Sequence, residues 1–319
     1  MRKREIMRFE LNSVKGLGVL FLFLLIFSEG RAQQDPMFTQ YNFNTQTINP
    51  AYAGTWDNIG FLVLGRHQWM GMEGAPQTYT FSMQTPTKFR NVAVGFNVIS
   101  DRAGFEKRLM ANFDYSYQLK LNRETSLRLG LKGGINHYTN NLADYTGYPG
   151  DPADPMFMSD TDSKVIPNFG IGAFLYHERY YIGLSSPKIL KTKFLNNYNN
   201  YSSWAEFRHF FLIGGYVFNL SRSLQFKPTF LARSIWGSST VIDFSANFLL
   251  GEKVWLGGNY RTGDSFGFIA QWIFDHQLRI GYGVDYSTSR LQSFHSGSHE
   301  IMVSYELGVR RRWSTPRMF

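Results

Sequence analysis

The sequence predicts an all-β protein, a transmembrane β-barrel of the bacterial outer membrane with about fourteen antiparallel strands. Three observations predict this class. Apolar and polar residues alternate with a period of two over long segments, aromatic residues make up 17% of the chain, and connections alternate between short and long. A soluble sheet buries its apolar face, whereas a membrane barrel turns that face to lipid and its polar face to the lumen.

Composition excludes several other classes. The chain has 319 residues, no cysteine, and only 18% charged residues, against about 25% in ordinary soluble domains. A disulfide scaffold, a zinc ribbon, a thiol enzyme and a lipoprotein all need cysteine. The aromatic content argues against a disordered chain. A structured chain of one large domain or two small ones remains.

Residues 1–32 are predicted to be a cleaved signal peptide. Basic residues crowd the first fifteen positions, the apolar run Gly16–Phe27 follows, and small residues stand at Gly30 and Ala32. We expect cleavage after Ala32. The alternative is an amphipathic anchor or a short membrane helix, but the run is shorter than the ~20 apolar residues that span a bilayer. Residues 1–32 carry +3 of the net charge of +9, and the rest of the chain has no Lys/Arg stripe except Arg310-Arg311-Arg312, so a nucleic-acid partner is not expected.

Residues 58–319 are predicted to form the barrel. In the segment Gln277–Tyr286, for example, Leu278, Ile280 and Tyr282 share one face while Arg279 and Asp285 share the other. The predicted strands are 58–69, 76–85, 91–100, 107–121, 124–138, 166–176, 179–186, 204–220, 223–236, 239–250, 252–261, 264–274, 276–286 and 298–310.

The connections give an independent argument for this architecture. Every second connection is short, and the long ones, at 139–165, 187–203 and 287–297, all fall on the other side. Short periplasmic turns and long external loops are typical of outer-membrane barrels, which must close so that no sheet edge meets lipid. An even number of strands predicts that both termini are periplasmic.

The segment before the barrel, residues 33–57, does not alternate and is rich in Asn, Gln and Pro. A lumen enclosed by about fourteen strands is wider than side chains from the wall can fill. Such a polar segment could enter from the periplasm and plug the lumen. The alternative is a loose periplasmic arm.

Several short motifs carry a resemblance to a known family. The N-terminal ones are Gln34-Asp35-Pro36, Phe38-Thr39-Gln40-Tyr41 and Asn49-Pro50-Ala51-Tyr52-Ala53-Gly54. The C-terminal ones are Asn259-Tyr260-Arg261 with Asp264, Gly281-Tyr282 with Asp285-Tyr286, and Gly297-Ser298-His299-Glu300-Ile301. In these motifs the chain resembles the PorP/SprF family of Bacteroidetes, outer-membrane proteins of the type IX secretion and gliding-motility system.

The resemblance implies a non-enzymatic function with no cofactor. It implies an outer-membrane protein that binds, anchors or helps to export a surface adhesin through the C-terminal domain of that cargo. It also implies contact with periplasmic motor or peptidoglycan-linked components. The residues carried over as partner-binding are Asp35, Pro36, Phe38, Tyr41, Asn49, Pro50, Tyr52, Gly54, Arg261, Asp264, His299 and Glu300.

Other functions stay open at this point. A porin or transporter for a small or hydrophobic solute is the main alternative, while no constellation supports a barrel lipase. His299 with Glu300 lacks the convergent ligands of a metal or acid–base site. The carboxylates in the 139–165 loop could hold calcium, although a solvated acidic loop is the simpler interpretation. The loops 139–165 and 187–203 are the predicted surfaces for an external partner.

Overall fold

The computed structural model describes residues 36–89, 91–140, 161–190, 192–196, 201–206, 208–235, 240–275 and 277–308. These residues form strands and a few short 3-10 turns. No helix in these ranges is long and apolar enough to cross a membrane. The strands are β1 (Gly60–His67), β2 (Gln77–Pro86), β3 (Val92–Ala103), β4 (Glu106–Lys120), β5 (Ser126–Asn140), β6 (Thr161–Tyr176), β7 (Tyr180–Ser186), β8 (Thr192–Asn196), β9 (Tyr201–Glu206), β10 (His209–Tyr216), β11 (Phe218–Asn219), β12 (Leu224–Ile235), β13 (Val241–Leu250), β14 (Val254–Arg261), β15 (Ser265–Phe274), β16 (Leu278–Ser287) and β17 (Ser298–Glu306).

The sheet closes into a barrel of fourteen strand positions. Successive strands of the wall pair antiparallel, β7 pairs with β10, and β1 pairs with β17 from Gly60 opposite Glu306 to His67 opposite His299. The short β11 continues β10 beyond Val217, and both pair with β12. Closure leaves no barrel edge whose backbone N–H and C=O groups would face hydrocarbon. The predicted class and strand number are confirmed.

The wall has the predicted alternation. On β15, Phe268 points outward and is 58% exposed, whereas Gln271 points inward and is 2% exposed. The same pattern on β16 and β17 places Tyr282 and Ile301 outward and Asp285 and Glu300 inward. The outer surface is therefore apolar and aromatic, as lipid requires.

One predicted strand began too early. The segment predicted as 204–220 enters the barrel only at His209, and Tyr201–Glu206 instead pairs with Thr192–Asn196 in a separate hairpin. No Gly or Pro stands between Tyr201 and His209, so the sequence carries no turn signal that would mark the boundary. The connection predicted at 187–203 therefore contains strands of its own.

The two rims of the barrel differ in their connections. One rim, called here the short-turn rim, carries residues 87–91, 121–125, 177–179, 220–223, 251–253 and 275–277. The other, called the long-connection rim, is formed by the strand ends that flank the connections 68–76, 104–105, 141–160, 187–208, 236–240, 262–264 and 288–297. The predicted asymmetry of the connections is thus present. Strand β1 starts, and β17 ends, at the short-turn rim.

Candidate functional site

Residues 36–57, called here the luminal segment, contact the inward faces of strands all around the barrel and so lie within it. Short 3-10 turns at Thr45–Thr47 and Pro50–Tyr52 shape the segment. The Asn49 side chain accepts a 2.9 Å hydrogen bond from the Ala51 N–H, and Pro50 opens the second turn with its φ already suited to it. From Phe38 to Gly54 nearly every residue is buried.

The beginning of the segment is held at the long-connection rim by a cluster of buried charges, called here the rim cluster: Arg66, Asp285 and Glu300. The Glu300 carboxylate accepts hydrogen bonds from the Thr39 and Gln40 backbone N–H groups, both at 2.9 Å. The Arg66 guanidinium bridges Glu300 at 3.2 Å and Asp285 at 2.8 Å. Buried charges persist when they are paired and hydrogen-bonded in this way.

Arg261 holds the same end of the segment from the other side. Its Nε donates to Asp243 at 2.6 Å and one Nη donates to Asp264 at 3.2 Å. The second Nη donates to the Phe38 carbonyl, also at 3.2 Å. A single guanidinium thus ties a wall carboxylate, Asp243, and a carboxylate of the β14–β15 connection, Asp264, to the backbone of the luminal segment.

Halfway down the barrel, hydroxyl and amide groups form the hydrogen bonds between the luminal segment and the wall. The Tyr41 hydroxyl lies 3.1 Å from those of both Thr229 on β12 and Ser245 on β13. The Asn42 amide donates to the same two hydroxyls, at 2.9 and 3.0 Å. On the opposite wall the Gln46 amide donates to the Met83 carbonyl of β2 at 3.0 Å.

The end of the segment contacts the wall near the short-turn rim. The Asn49 amide donates to the Ala173 carbonyl at 3.1 Å. Arg128, the third residue of β5, donates to the Ala53 carbonyl at 3.2 Å. The Gly54 N–H donates to the Gln84 side chain at 2.7 Å.

Strand glycines allow the segment to lie directly on the wall. A Cβ on Gly130 would collide with the backbone of Pro50 and Ala51, and one on Gly172 would collide with the Asn49 side chain. Gly in a strand interior often marks such a close approach of another backbone. The segment is therefore packed against these strands without an intervening layer of side chains.

Two apolar clusters also line the lumen, and they were not predicted from the sequence. Tyr41 and Tyr52 pack with wall residues that include Phe174 and Ile213, and the Tyr52 and Phe174 rings meet edge to face at 5.5 Å. Phe38 and Phe43 pack in the second cluster with Leu62, Leu64, Leu249, Trp255, Ile269 and Met302. Each such buried side chain contributes about 1.5–3 kcal/mol. Apolar residues at inward strand positions are the sequence feature that could have indicated these clusters.

The predicted partner-binding residues have different surroundings. Phe38, Tyr41, Asn49, Pro50, Tyr52, Gly54, Arg261 and Glu300 are buried in the contacts between the luminal segment and the wall, whereas Pro36 is half-buried and Asp35 lies outside the described residues. Asp264 is partly exposed and bonds Arg261. His299 faces outward, where its Nδ1 lies 2.5 Å from the Tyr282 hydroxyl, so it does not join Glu300. Their role toward a partner stays a prediction.

Other groups at the site were not selected from the sequence. Arg66 and Asp243 complete the charged contacts at the long-connection rim, and Lys132 pairs with Asp114 at 2.9 Å deeper in the lumen. Within the described ranges, no group of three or more His, Asp or Glu could hold a metal ion. The predicted calcium loop lies almost entirely outside those ranges.

A closed antiparallel barrel with an apolar exterior and polar inward positions defines this protein as an outer-membrane β-barrel. A family model described as type IX secretion system membrane protein PorP/SprF matches residues 30–305. The chain belongs to this family, as its motifs predicted. No curated protein matches the chain.

The chain is also similar to solved outer-membrane proteins, at low sequence identity. The outer membrane protein Omp33 of Acinetobacter baumannii is 9% identical with a TM-score of 0.44, covering 77% of this chain and 97% of its own. A FadL homologue of Pseudomonas aeruginosa is 11% identical with a TM-score of 0.45, covering 87% and 96%. A mutant of the monoaromatic hydrocarbon channel TodX is 9% identical with a TM-score of 0.46, covering 81% and 92%.

Proposed function

We propose that this protein binds a secreted surface adhesin of the type IX system through the C-terminal domain of that cargo, and anchors it or assists its export. The role proposed is non-enzymatic. Membership of the PorP/SprF family supports it. The observation that carries it is the luminal segment, which is bonded to the wall from one rim to the other.

The filled lumen argues against the alternative, a porin or transporter for a small or hydrophobic solute. A conducting barrel needs a continuous or gated path. Here, backbone packs on backbone at Gly130, and apolar clusters occupy the space between the polar contacts. Opening a path would break buried charge pairs and expose aromatic side chains together.

We place the cargo site on the long-connection rim, which faces the cell surface in barrels of this type. Two connections there are joined: the Met70 N–H donates to the Gly297 carbonyl and the Ser296 N–H donates to the Met70 carbonyl, both at 2.8 Å. This joined surface presents the exposed side chains of Met70, Leu291 and Phe294. Aromatic residues and Met are enriched in interface cores. Periplasmic type IX components would then meet the short-turn rim.

Affinity capture tests the cargo proposal. Tagged protein is solubilised from outer membranes in detergent, captured, and analysed by mass spectrometry. We expect one very large surface protein with a type IX C-terminal domain. The variant Phe294→Ser should recover about tenfold less of it if Phe294 contributes about 1.4 kcal/mol to binding.

Phe89→Ser is the matched control, because Phe89 is equally exposed but lies in the β2–β3 turn at the opposite rim. It should recover as much cargo as the wild type. Recovery of the barrel alone by the wild-type protein would contradict the cargo proposal.

Electrical recording tests the closed lumen separately. We expect the purified protein to give no conductance steps in a planar bilayer in which a general porin gives them. We also expect no uptake of small solutes by liposomes that contain it. Stable open steps or solute flux would favour the transporter.

A further inference from the structure

The luminal segment traverses the barrel in one direction. Its early partners are at the long-connection rim: Arg261 is the last residue of β14, and Glu300 is the third residue of β17. The partners of Tyr41 lie at mid-strand. The partners of the later residues lie near the short-turn rim, where Gln84 is third from the end of β2.

The segment does not double back. After Gly54 the chain leaves the lumen at the short-turn rim, where the Asn58 N–H donates to Glu306, the last residue of β17, at 3.2 Å. At the other end, burial decreases toward the start of the chain, from Phe38 to the half-buried Met37 and Pro36. Pro36 therefore lies at the long-connection rim.

The two ends of the described chain thus lie at opposite rims. This differs from the expectation, based on the even number of strands, that both termini are periplasmic. That expectation counted only the passages through the wall. The luminal segment crosses the barrel once more. With an odd number of crossings, the two ends lie at opposite rims.

We propose that the amino terminus of the processed chain opens at the long-connection rim, on the cell surface and beside the proposed cargo site. With cleavage after Ala32, three residues precede Pro36. Fully extended, they span at most about 11 Å. The apolar band of such a barrel is about 25 Å tall, and the lumen is filled. The amino terminus cannot return to the other side.

This geometry also divides the chain between compartments. A surface partner has access to the amino terminus, whereas a periplasmic partner meets the turns of the opposite rim. The inference takes its membrane orientation from the proposed function, but it needs no cargo to be tested.

The absence of cysteine makes site-specific labelling straightforward. Three single-cysteine variants are compared: Gln34→Cys at the start of the processed chain, Ser289→Cys in the β16–β17 connection, and Arg123→Cys in the β4–β5 turn. Ser289 and Arg123 are exposed at the long-connection and short-turn rims respectively. Intact and permeabilised cells are treated with a maleimide that does not cross membranes.

We expect Gln34→Cys and Ser289→Cys to be labelled in intact cells, and Arg123→Cys to be labelled only after permeabilisation. If Gln34→Cys behaves like Arg123→Cys and unlike Ser289→Cys, the inference is wrong. If Arg123→Cys alone is labelled in intact cells, the barrel is inverted. The amino terminus then still lies opposite the short turns, which supports the path through the lumen but overturns its exposure at the surface.

Mass spectrometry of the labelled amino-terminal peptide checks the processing site. A chain that begins at Gln33 supports the argument that the residues before Pro36 are too few to reach the opposite rim. Retention of residues 1–32 would overturn it. Loss of cargo capture with correct labelling would contradict the proposed function alone.

Discussion

Gly130→Val should destabilise the folded barrel by about 3 kcal/mol, at the upper end of the usual cost of overpacking. The new Cβ would collide with the backbone of Pro50 and Ala51, which cannot move aside as a flexible side chain could. The barrel can fold only by displacing the segment or distorting β5. Measurement is by the folded fraction in detergent against temperature, read from the faster migration of folded barrels on unheated gels.

Gly133→Val is the matched control, three residues along the same strand. Nothing lies within 4 Å of a Cβ built there, and the position shares the outward face of Leu131 and Ile135. A valine facing lipid should leave stability unchanged or slightly higher, since valine favours strands. Equal thermal stability of the two variants would mean that the luminal segment does not pack against β5.

Glu300→Gln should have a comparable effect through charge. Glutamine keeps the shape of the side chain but leaves Arg66 with one carboxylate, Asp285, and points an amide N–H toward the backbone N–H of Thr39 or Gln40. Breaking a buried, hydrogen-bonded pair typically costs about 3–5 kcal/mol. We expect earlier thermal unfolding and rapid protease trimming before Tyr41, whereas the wild type should resist trimming.

Glu124→Gln is the control for a lost carboxylate. Glu124 lies in the β4–β5 turn, where its exposed side chain bonds only the ring of His177 among the contacts described for it. Surface pairs of this kind contribute about 0–1 kcal/mol. A double-mutant cycle of Glu300→Gln with Arg66→Met measures the coupling in the rim cluster. A coupling near zero would contradict the proposed arrangement.

The strand pattern could be predicted because a barrel wall has a local signal. Outward residues such as Phe268 and inward residues such as Gln271 alternate along a strand, and this alternation can be recognised in any short stretch of sequence. The boundary at His209 could not be predicted, because no Gly or Pro separates the strand Tyr201–Glu206 of the hairpin from β10. Trp255 and Met302 at inward positions violate the simple polar-inside rule, because they pack in a cluster with Phe38 and Phe43 of the luminal segment.

The path of the luminal segment could not be predicted in the same way. Its composition suits a polar lumen, but direction and depth depend on contacts such as Thr39 with Glu300, which are 261 residues apart in sequence. A contact between residues so far apart in sequence produces no periodic pattern of apolar and polar residues. The motifs that carry the family resemblance include both partners, yet the sequence does not say that they touch.

The contacts of β17 also bear on how the barrel assembles. This last strand covers the open edge of β1 through eight residue pairs, and it carries the carboxylate that receives the backbone N–H groups of Thr39 and Gln40. Before β17 arrives, the wall is unsealed and the beginning of the chain lacks this acceptor. Docking of β17 therefore completes both the closure of the wall at β1 and the contact with the beginning of the luminal segment.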